Sequence, residues 1–473
     1  MSIIKNLNKS LLICLIISFL FLSALPAEAC FTIVVGKDVS ADGCVLVAHN
    51  EDDGPPQIVN HHHLQITEFA NQSNYDRRNS LIESQMPEMD YSDSFLNGYG
   101  VVITSNNCPS KEDKPQFTDG GIGKKLRSTT ASESKTARDG VLLAGRLVEA
   151  SGYLDSGRTY IIADPNEAWI FCAVKGKHWV AQRVPDNSVA MIANTYTIRD
   201  VDVNDSKNFL CSKDLIEYAK SRNWYQPIRD GRFDFAAAYA NPRDAKSPVN
   251  YGRQWAGLKF VTDKELTLGP IQPFSIEPNR KLKIEELMGI LRYDNSTSKP
   301  QFMQSCTEEE KITCIICRGS TQTSFVAQLR KNMPYEIGLV YWACLTQPGS
   351  SIYIPFHFGS GFPSGFFGKS KRPTQKEYDE KVGAPFKTDP AQAWWTFANL
   401  TNKAYKTDKE KLPQIRSAFD KIEQKAVGEQ NQIEAKALEM YKTDKAAAMK
   451  FLTDYSNGIY LSALQAADKA MGN

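Results

Sequence analysis

The stretch Ala27-Glu28-Ala29-Cys30-Phe31-Thr32-Ile33-Val34-Val35 decides how the rest of the chain is read. Before it, Lys5 and Lys9 give a positive start, Leu11 to Leu25 is apolar, and Ala27-Glu28-Ala29 offers the small residues a signal peptidase needs. Residues 1–29 therefore read as a signal peptide cut after Ala29. That cut leaves Cys30 carrying both a thiol and a free α-amine. After it, Phe31 to Lys37 reads as a strand, Asp38 to Gly43 as a turn, and Cys44 to His49 as the returning strand of a hairpin.

Export sets the environment of everything downstream. No later run approaches the roughly 20 apolar residues of a bilayer span, so the mature chain is expected to be soluble and periplasmic or extracellular. A cysteine after an export signal also allows a different class of protein, a non-catalytic lipoprotein or binding module anchored through Cys30. Ala27 at the third upstream position and the intervening Glu28 depart from the Leu-led pattern of lipidation sites. With 56 basic and 54 acidic residues, a net charge of +2 points to neither nucleic acid nor an anionic membrane as partner.

Of ten cysteines, removing Cys14 leaves nine in the mature chain, and setting Cys30 aside leaves eight. An oxidising compartment could pair them, with no connectivity legible from sequence. Cys314-Ile315-Ile316-Cys317 has redox or metal spacing, but it lies in a β-like run with no second pair, which reads as buried strand cysteines or one structural bridge. Adjacent strand residues point to opposite faces, so His61, His62 and His63 cannot converge on one ion. No catalytic metal and no cofactor are expected.

Along the chain, His49-Asn50-Glu51-Asp52-Asp53 closes the first hairpin with a carboxylate cluster. Asn97 opens a tight turn, and a strand then ends in Asn106-Asn107. Lys111 to Ser134 reads as loop, and Thr136 to Ala150 as a helix stopping at Gly152. Arg158 to Asn194 reads as adjacent antiparallel strands that deliver Asn194 to a strand end, and Asp205 to Ser221 reads as helix. From Ala391 onward Ala, Lys, Glu and Gln replace β-branched residues. The expected organisation is α+β, with a main domain over 30–390 and a helical extension over 391–473 whose faces could assemble a homo-oligomer.

A thiol on the first residue needs no partner histidine. An α-amine titrates near roughly 7.7–8.0, so at neutral pH it can take the proton of its own side chain, and the thiolate can attack an amide carbonyl. Such a residue needs a carboxylate to hold its amine and amide donors for the oxyanion. Asp52, Asn194 and Asn97 are the candidates. A charged substrate amine would need negative charge, which Glu51 and Asp53 could supply.

The order of motifs resembles peptidase family C69, the dipeptidase A and secernin-like branch of the cysteine-type N-terminal nucleophile (Ntn) hydrolases. The resemblance is carried by Cys30 to Gly36, Asn50-Glu51-Asp52, Asn97-x-x-Gly100-Val101, Asp164-Pro165-x-x-Ala168-Trp169, Ile192-Ala193-Asn194, Arg253-x-Trp255, Ile316-Cys317-Arg318 and Pro334-x-x-Ile337-Gly338. It implies an αββα four-layer sandwich of two antiparallel sheets, and hydrolysis of dipeptides or short peptides without metal. It further implies Cys30 as nucleophile, Asp52 at its amine, Asn194 and Asn97 at the oxyanion, and Arg253 as an active-site arginine. His49 stands where many relatives carry arginine and is placed with the substrate-contacting residues, as a hydrogen-bond donor without the guanidinium fork. A choloylglycine-hydrolase or penicillin-acylase-like amidase is the alternative on the same fold.

Overall fold

The computed structural model describes residues 30–53, 57–65, 80–86, 91–225, 232–295, 300–366, 375–380 and 392–472. The signal-peptide reading of 1–29 lies outside the described residues. Strand β1 (Phe31–Val35) forms because four of its five residues are β-branched, and all five are buried, as expected of a strand covered on both faces. Strand β2 (Val45–Asp52) returns antiparallel with Phe31 opposite Asn50 and Val35 opposite Leu46.

The next strands are β3 (Asn60–Gln65), β4 (Ser80–Met86), β5 (Tyr91–Asn97), β6 (Val102–Asn107), β7 (Tyr153–Ala163), β8 (Ala168–Gly176), β9 (Trp179–Val184), β10 (Val189–Ile192) and β11 (Phe209–Cys211). The last three are β12 (Thr321–Leu329), β13 (Leu339–Leu345) and β14 (Ile354–His357). They build a six-stranded sheet in the order β10-β1-β2-β12-β13-β14 and an eight-stranded sheet in the order β11-β9-β8-β7-β6-β5-β4-β3. The pairings within both sheets are antiparallel.

Strand alternation shows the layering. Along β8, Ile170, Cys172 and Val174 join the core that includes Val34, Val47 and Trp342 of the six-stranded sheet. Their neighbours Trp169, Phe171 and Ala173 face the other way, onto helices α1 (Lys125–Glu133) and α2 (Ala137–Ser151) through Leu126, Val141 and Val148. Helix α2 ends where Gly152 takes φ +83°, a conformation that favours glycine. On the six-stranded sheet, α3 (Pro248–Lys259) lies against β10 and α4 (Ile284–Leu291) against β2. Helices α5 (Ala393–Asn402), α6 (Leu412–Thr443) and α7 (Lys445–Met471) follow. α5 packs on β13, α7 packs on β14, and α6 pairs with α7. The architecture is α+β, a four-layer αββα sandwich of two antiparallel sheets between helices.

Three local expectations are corrected. Residues 125–133 are helical rather than loop, because the segment docks on β5 and β6 through the buried Leu126, Arg127, Thr130 and Ala131 despite its polar composition. Only Leu215–Ser221 of the expected Asp205 to Ser221 helix is helical, since Phe209–Cys211 pairs with β9 instead. Cys314 is not in a strand: Thr307 and Glu310 form a reciprocal cap that starts a short helix over Glu308–Thr313, and Cys314 follows its end. All nine described cysteines are free. Among the described residues, no helix is long and apolar enough to cross a membrane.

Candidate active site

The site lies where β1 begins, β2 ends and β10 ends. The β1–β2 register pairs Phe31 with Asn50, so one step further sets Cys30 opposite Glu51. The β1–β10 register pairs Thr32 with Ile192, and two steps further set Cys30 opposite Asn194. Alternation along β2 then splits the cluster between two faces.

On the face toward α3 and α4, Asn50 Nδ2 donates to Leu291 O at 3.0 Å and Asp52 Oδ1 accepts from Thr321 Oγ1 at 2.5 Å. Asp52 Oδ2, buried, has no hydrogen-bond partner among the described residues. Burial pushes the Asp52 carboxyl up to about 6, against the opposing pull of the Thr321 hydrogen bond and the Arg253 charge. Arg253, fully buried on α3, donates through Nη1 to Cys30 O at 2.9 Å and through Nη2 to Asn194 Oδ1 at 2.8 Å and Asn250 Oδ1 at 3.0 Å. Asn194 Nδ2 is thereby turned toward β6 and donates to Asn107 O at 2.9 Å. Arg253 is a positioning residue for both the Cys30 backbone and the Asn194 amide.

On the face between the sheets, Cys30 Sγ lies 3.1 Å from Glu51 Oε2 and 3.7 Å from Asp52 O. His49 Nε2 lies 3.2 Å from the same Glu51 oxygen and 3.5 Å from Asp93 Oδ2, while its Nδ1 meets Thr32 Oγ1 at 2.7 Å. Thr32 Oγ1 in turn reaches Asn106 Oδ1 at 2.6 Å, tying β1 to the other sheet. Arg127 of α1 closes this network, donating to Asp93 Oδ1 at 3.4 Å and to Ser92 O at 2.9 Å. Burial alone would push the His49 pKa down, yet Asp93 and Glu51 raise it to about 9. Burial, then the charges of Glu51 and Asp52, push the Cys30 thiol well up.

Cys30, Asp52, Asn194, Arg253 and Glu51 are thus brought together. Asp53 is buried beside them, its N–H donating to Ser320 O at 3.1 Å. His49 is not presented to a substrate; both ring nitrogens are engaged inside the protein. Asn97 is elsewhere. It sits in the β5–β6 turn, at the end of β6 remote from Asn107, its Nδ2 donating to Ala131 O and Ser134 O at 2.8 Å and its Oδ1 accepting from the Tyr99 and Val101 N–H groups at 3.0 Å. Every polar group of that amide is spent on the turn and on the end of α1.

Outside these strand ends, a cleft of about 290 Å³ opens, lined by Glu51, Asp53, Asn107 and residues of α1 and β7. Asn107, which sequence reading left without a role, is the amide that faces this cleft; the doublet at a strand end was its only signal. Asp93, Thr321, Arg127 and Asn250 carried no signal, because only sheet and helix packing brings them to Cys30. Ligand atoms of Cys30, His49 and Glu51 lie within 4.8 Å of one another, the one buried trio among the described residues with metal-ligating reach. Glu51 Oε2 already bridges the other two by hydrogen bonds.

The family model for peptidase family C69 matches residues 29–102 and 102–407. A probable dipeptidase of Salmonella dublin is 27% identical over 359 residues, covering 70% of this chain and 81% of that protein. A probable dipeptidase of Latilactobacillus sakei is 25% identical over 353 residues, covering 70% and 74%. Among solved structures, penicillin V acylase from Agrobacterium tumefaciens aligns over 69% of this chain and 85% of its own with 10% identity and a TM-score of 0.33. The chain belongs to peptidase family C69 and is a hydrolase.

Proposed function

We propose that this protein is an exported dipeptidase activated by cleavage after Ala29, with Cys30 as nucleophile and its own α-amine as base. The observation that carries this reading is the buried Cys30 thiol, at the first residue of the fold, beside a buried Asp52 whose Oδ2 lacks a partner. In the uncleaved chain the nitrogen of Cys30 is an amide and cannot take a proton. Cleavage turns it into an amine next to a carboxylate that has an oxygen to receive it. Export itself is supported by the sequence of residues 1–29.

The α-amine takes the thiol proton, and the thiolate adds to the carbonyl carbon of the substrate's peptide bond. The resulting oxyanion is received by the Asn194 and Asn107 side-chain amides, each worth about 2.7–4 kcal/mol if it acts as a full donor. The C–N bond breaks, the ammonium proton passes to the leaving amine, and a thioester remains on Cys30. Water, deprotonated by the α-amine, adds to the thioester; its collapse restores the thiol and releases the first amino acid. Arg253 holds Asn194 in the orientation this requires.

The experiment is hydrolysis of a dipeptide panel by the secreted protein, its N-terminus read by mass, with Cys30→Ser and a chain carrying one extra residue before Cys30. We expect the mature protein to start at Cys30 and both variants to lose at least about 10³-fold in kcat/KM. Full activity in either variant overturns the mechanism. A mature protein that cleaves acyl amides and no dipeptide makes it an amidase, and an acylated Cys30 makes it a lipoprotein.

A further inference from the structure

The lining of the cleft is divided by charge. Glu51, Asp53 and Asp155 contribute carboxylates; Lys124, Arg127 and Arg158 contribute cations. Two of the cations are held together against their mutual repulsion. Arg127 Nη2 and Arg158 Nη1 both donate to the single hydroxyl of Ser105, the latter at 3.2 Å. Arg158 is fixed a second time, its Nε donating to Tyr153 OH at 3.1 Å, while Tyr153 OH donates to Asp155 Oδ2 at 3.2 Å. The roles of the two guanidinium groups differ. Arg127 is buried and committed to Asp93 and the β5 backbone, whereas Arg158 is half-buried on β7 at the cleft wall.

A pair of guanidinium groups converging on a small cleft favours an anion. In a dipeptide attacked at its only peptide carbonyl, the ammonium nitrogen is two bonds from the reacting carbon and the carboxylate carbon three. Both charged ends therefore lie close to Cys30, and a cleft of about 290 Å³ admits a ligand of that size. Each added residue would carry the carboxylate roughly 3.3–3.6 Å further away. We propose that Arg158, assisted by Lys124 at the start of α1, binds the C-terminal carboxylate of the substrate and so limits this enzyme to dipeptides, with the ammonium held on the Glu51 and Asp53 side. This rests on the dipeptidase reading and adds to it the residue that measures substrate length.

The test compares a dipeptide, its C-terminal amide and the corresponding tripeptide on the mature protein and on its Arg158→Gln, Arg158→Lys and Lys124→Gln variants, each checked by thermal melting. The wild type is expected to prefer the free dipeptide over its amide by about 10–10²-fold in kcat/KM, mostly through KM, as befits a charged hydrogen-bonded contact. In Arg158→Gln that preference should fall below about 3-fold. Arg158→Lys should keep part of it, and Lys124→Gln should lose a smaller part. A wild type that cleaves dipeptide and amide equally, or an Arg158→Gln that slows both in proportion, overturns the clamp while leaving the dipeptidase reading standing. A wild type that cleaves no peptide overturns both. Should Arg158→Gln not fold, the lysine variant and Lys124→Gln decide the matter by the same ratio.

Discussion

Two buried carboxylates of this fold, Glu434 and Asp52, are treated in opposite ways. Glu434 on α6 receives Arg330 Nη1 at 2.7 Å and Nη2 at 2.5 Å, His357 Nε2 at 3.0 Å and Gln430 Nε2 at 2.9 Å. Although burial opposes it, these partners hold its carboxyl down at about 2. Asp52 is equally withdrawn from water, but one oxygen has Thr321 and the other nothing. Burial prevails, and its carboxyl rises to about 6. The first carboxylate closes a joint between α6 and the β12–β14 region; the second is left open. An open buried carboxylate costs stability, and the proposed activation accounts for it, since a cation made by cleavage at Cys30 would complete it.

If that contrast is right, the largest effect belongs to the closed site. Glu434→Ala leaves Arg330 buried without its carboxylate and should cost about 3–5 kcal/mol in urea unfolding. A loss under about 1 kcal/mol would mean that the α6 joint contributes little and that the contrast is empty. Asp52→Asn should behave the other way round. Removing a half-partnered buried charge should leave the unfolding free energy of the mature protein within about 1–2 kcal/mol of wild type, while kcat/KM on a dipeptide falls by about 10²-fold as the α-amine loses its anchor. Unchanged kcat/KM would remove Asp52 from the mechanism.

How much of this was legible in the sequence follows from where each residue's partners come from. Cys30, Glu51 and Asp52 share one hairpin, so their proximity follows from a strand register that the β-branched run and the Asp42-Gly43 turn announce. Asn194 was legible because an apolar strand ends on it. Asn97 misled, because an amide that secures its own turn looks in sequence like an amide presented to a ligand; only its four hydrogen bonds separate the two. Arg127 was hidden in a polar stretch without a helical stripe, which folds as α1 through docking on the sheet. Asp93 meets His49 and Thr321 meets Asp52 from different strands of different sheets, pairings that no local pattern encodes.

The pH dependence of stability is the sharpest test, because the two carboxylates predict slopes of opposite sign. Glu434, lowered from 4.5 to about 2, contributes stability that is fully present above pH 4.5 and is lost as pH falls through 2. Asp52, raised from 3.8 to about 6, contributes stability that is present below pH 3.8 and lost as pH rises through 6. In a chain with one extra residue before Cys30, Asp52→Asn should therefore gain stability relative to its parent between pH 4 and 6.5, by up to about 3 kcal/mol. On the proposed activation, the α-ammonium of the mature chain would stand against the carboxylate and lower its pKa, which should shrink or reverse that gain. Melting temperatures of the four proteins across this range measure it. The same gain in both backgrounds would mean that the amine of Cys30 does not meet Asp52, and that the open carboxylate of this fold waits for some other cation.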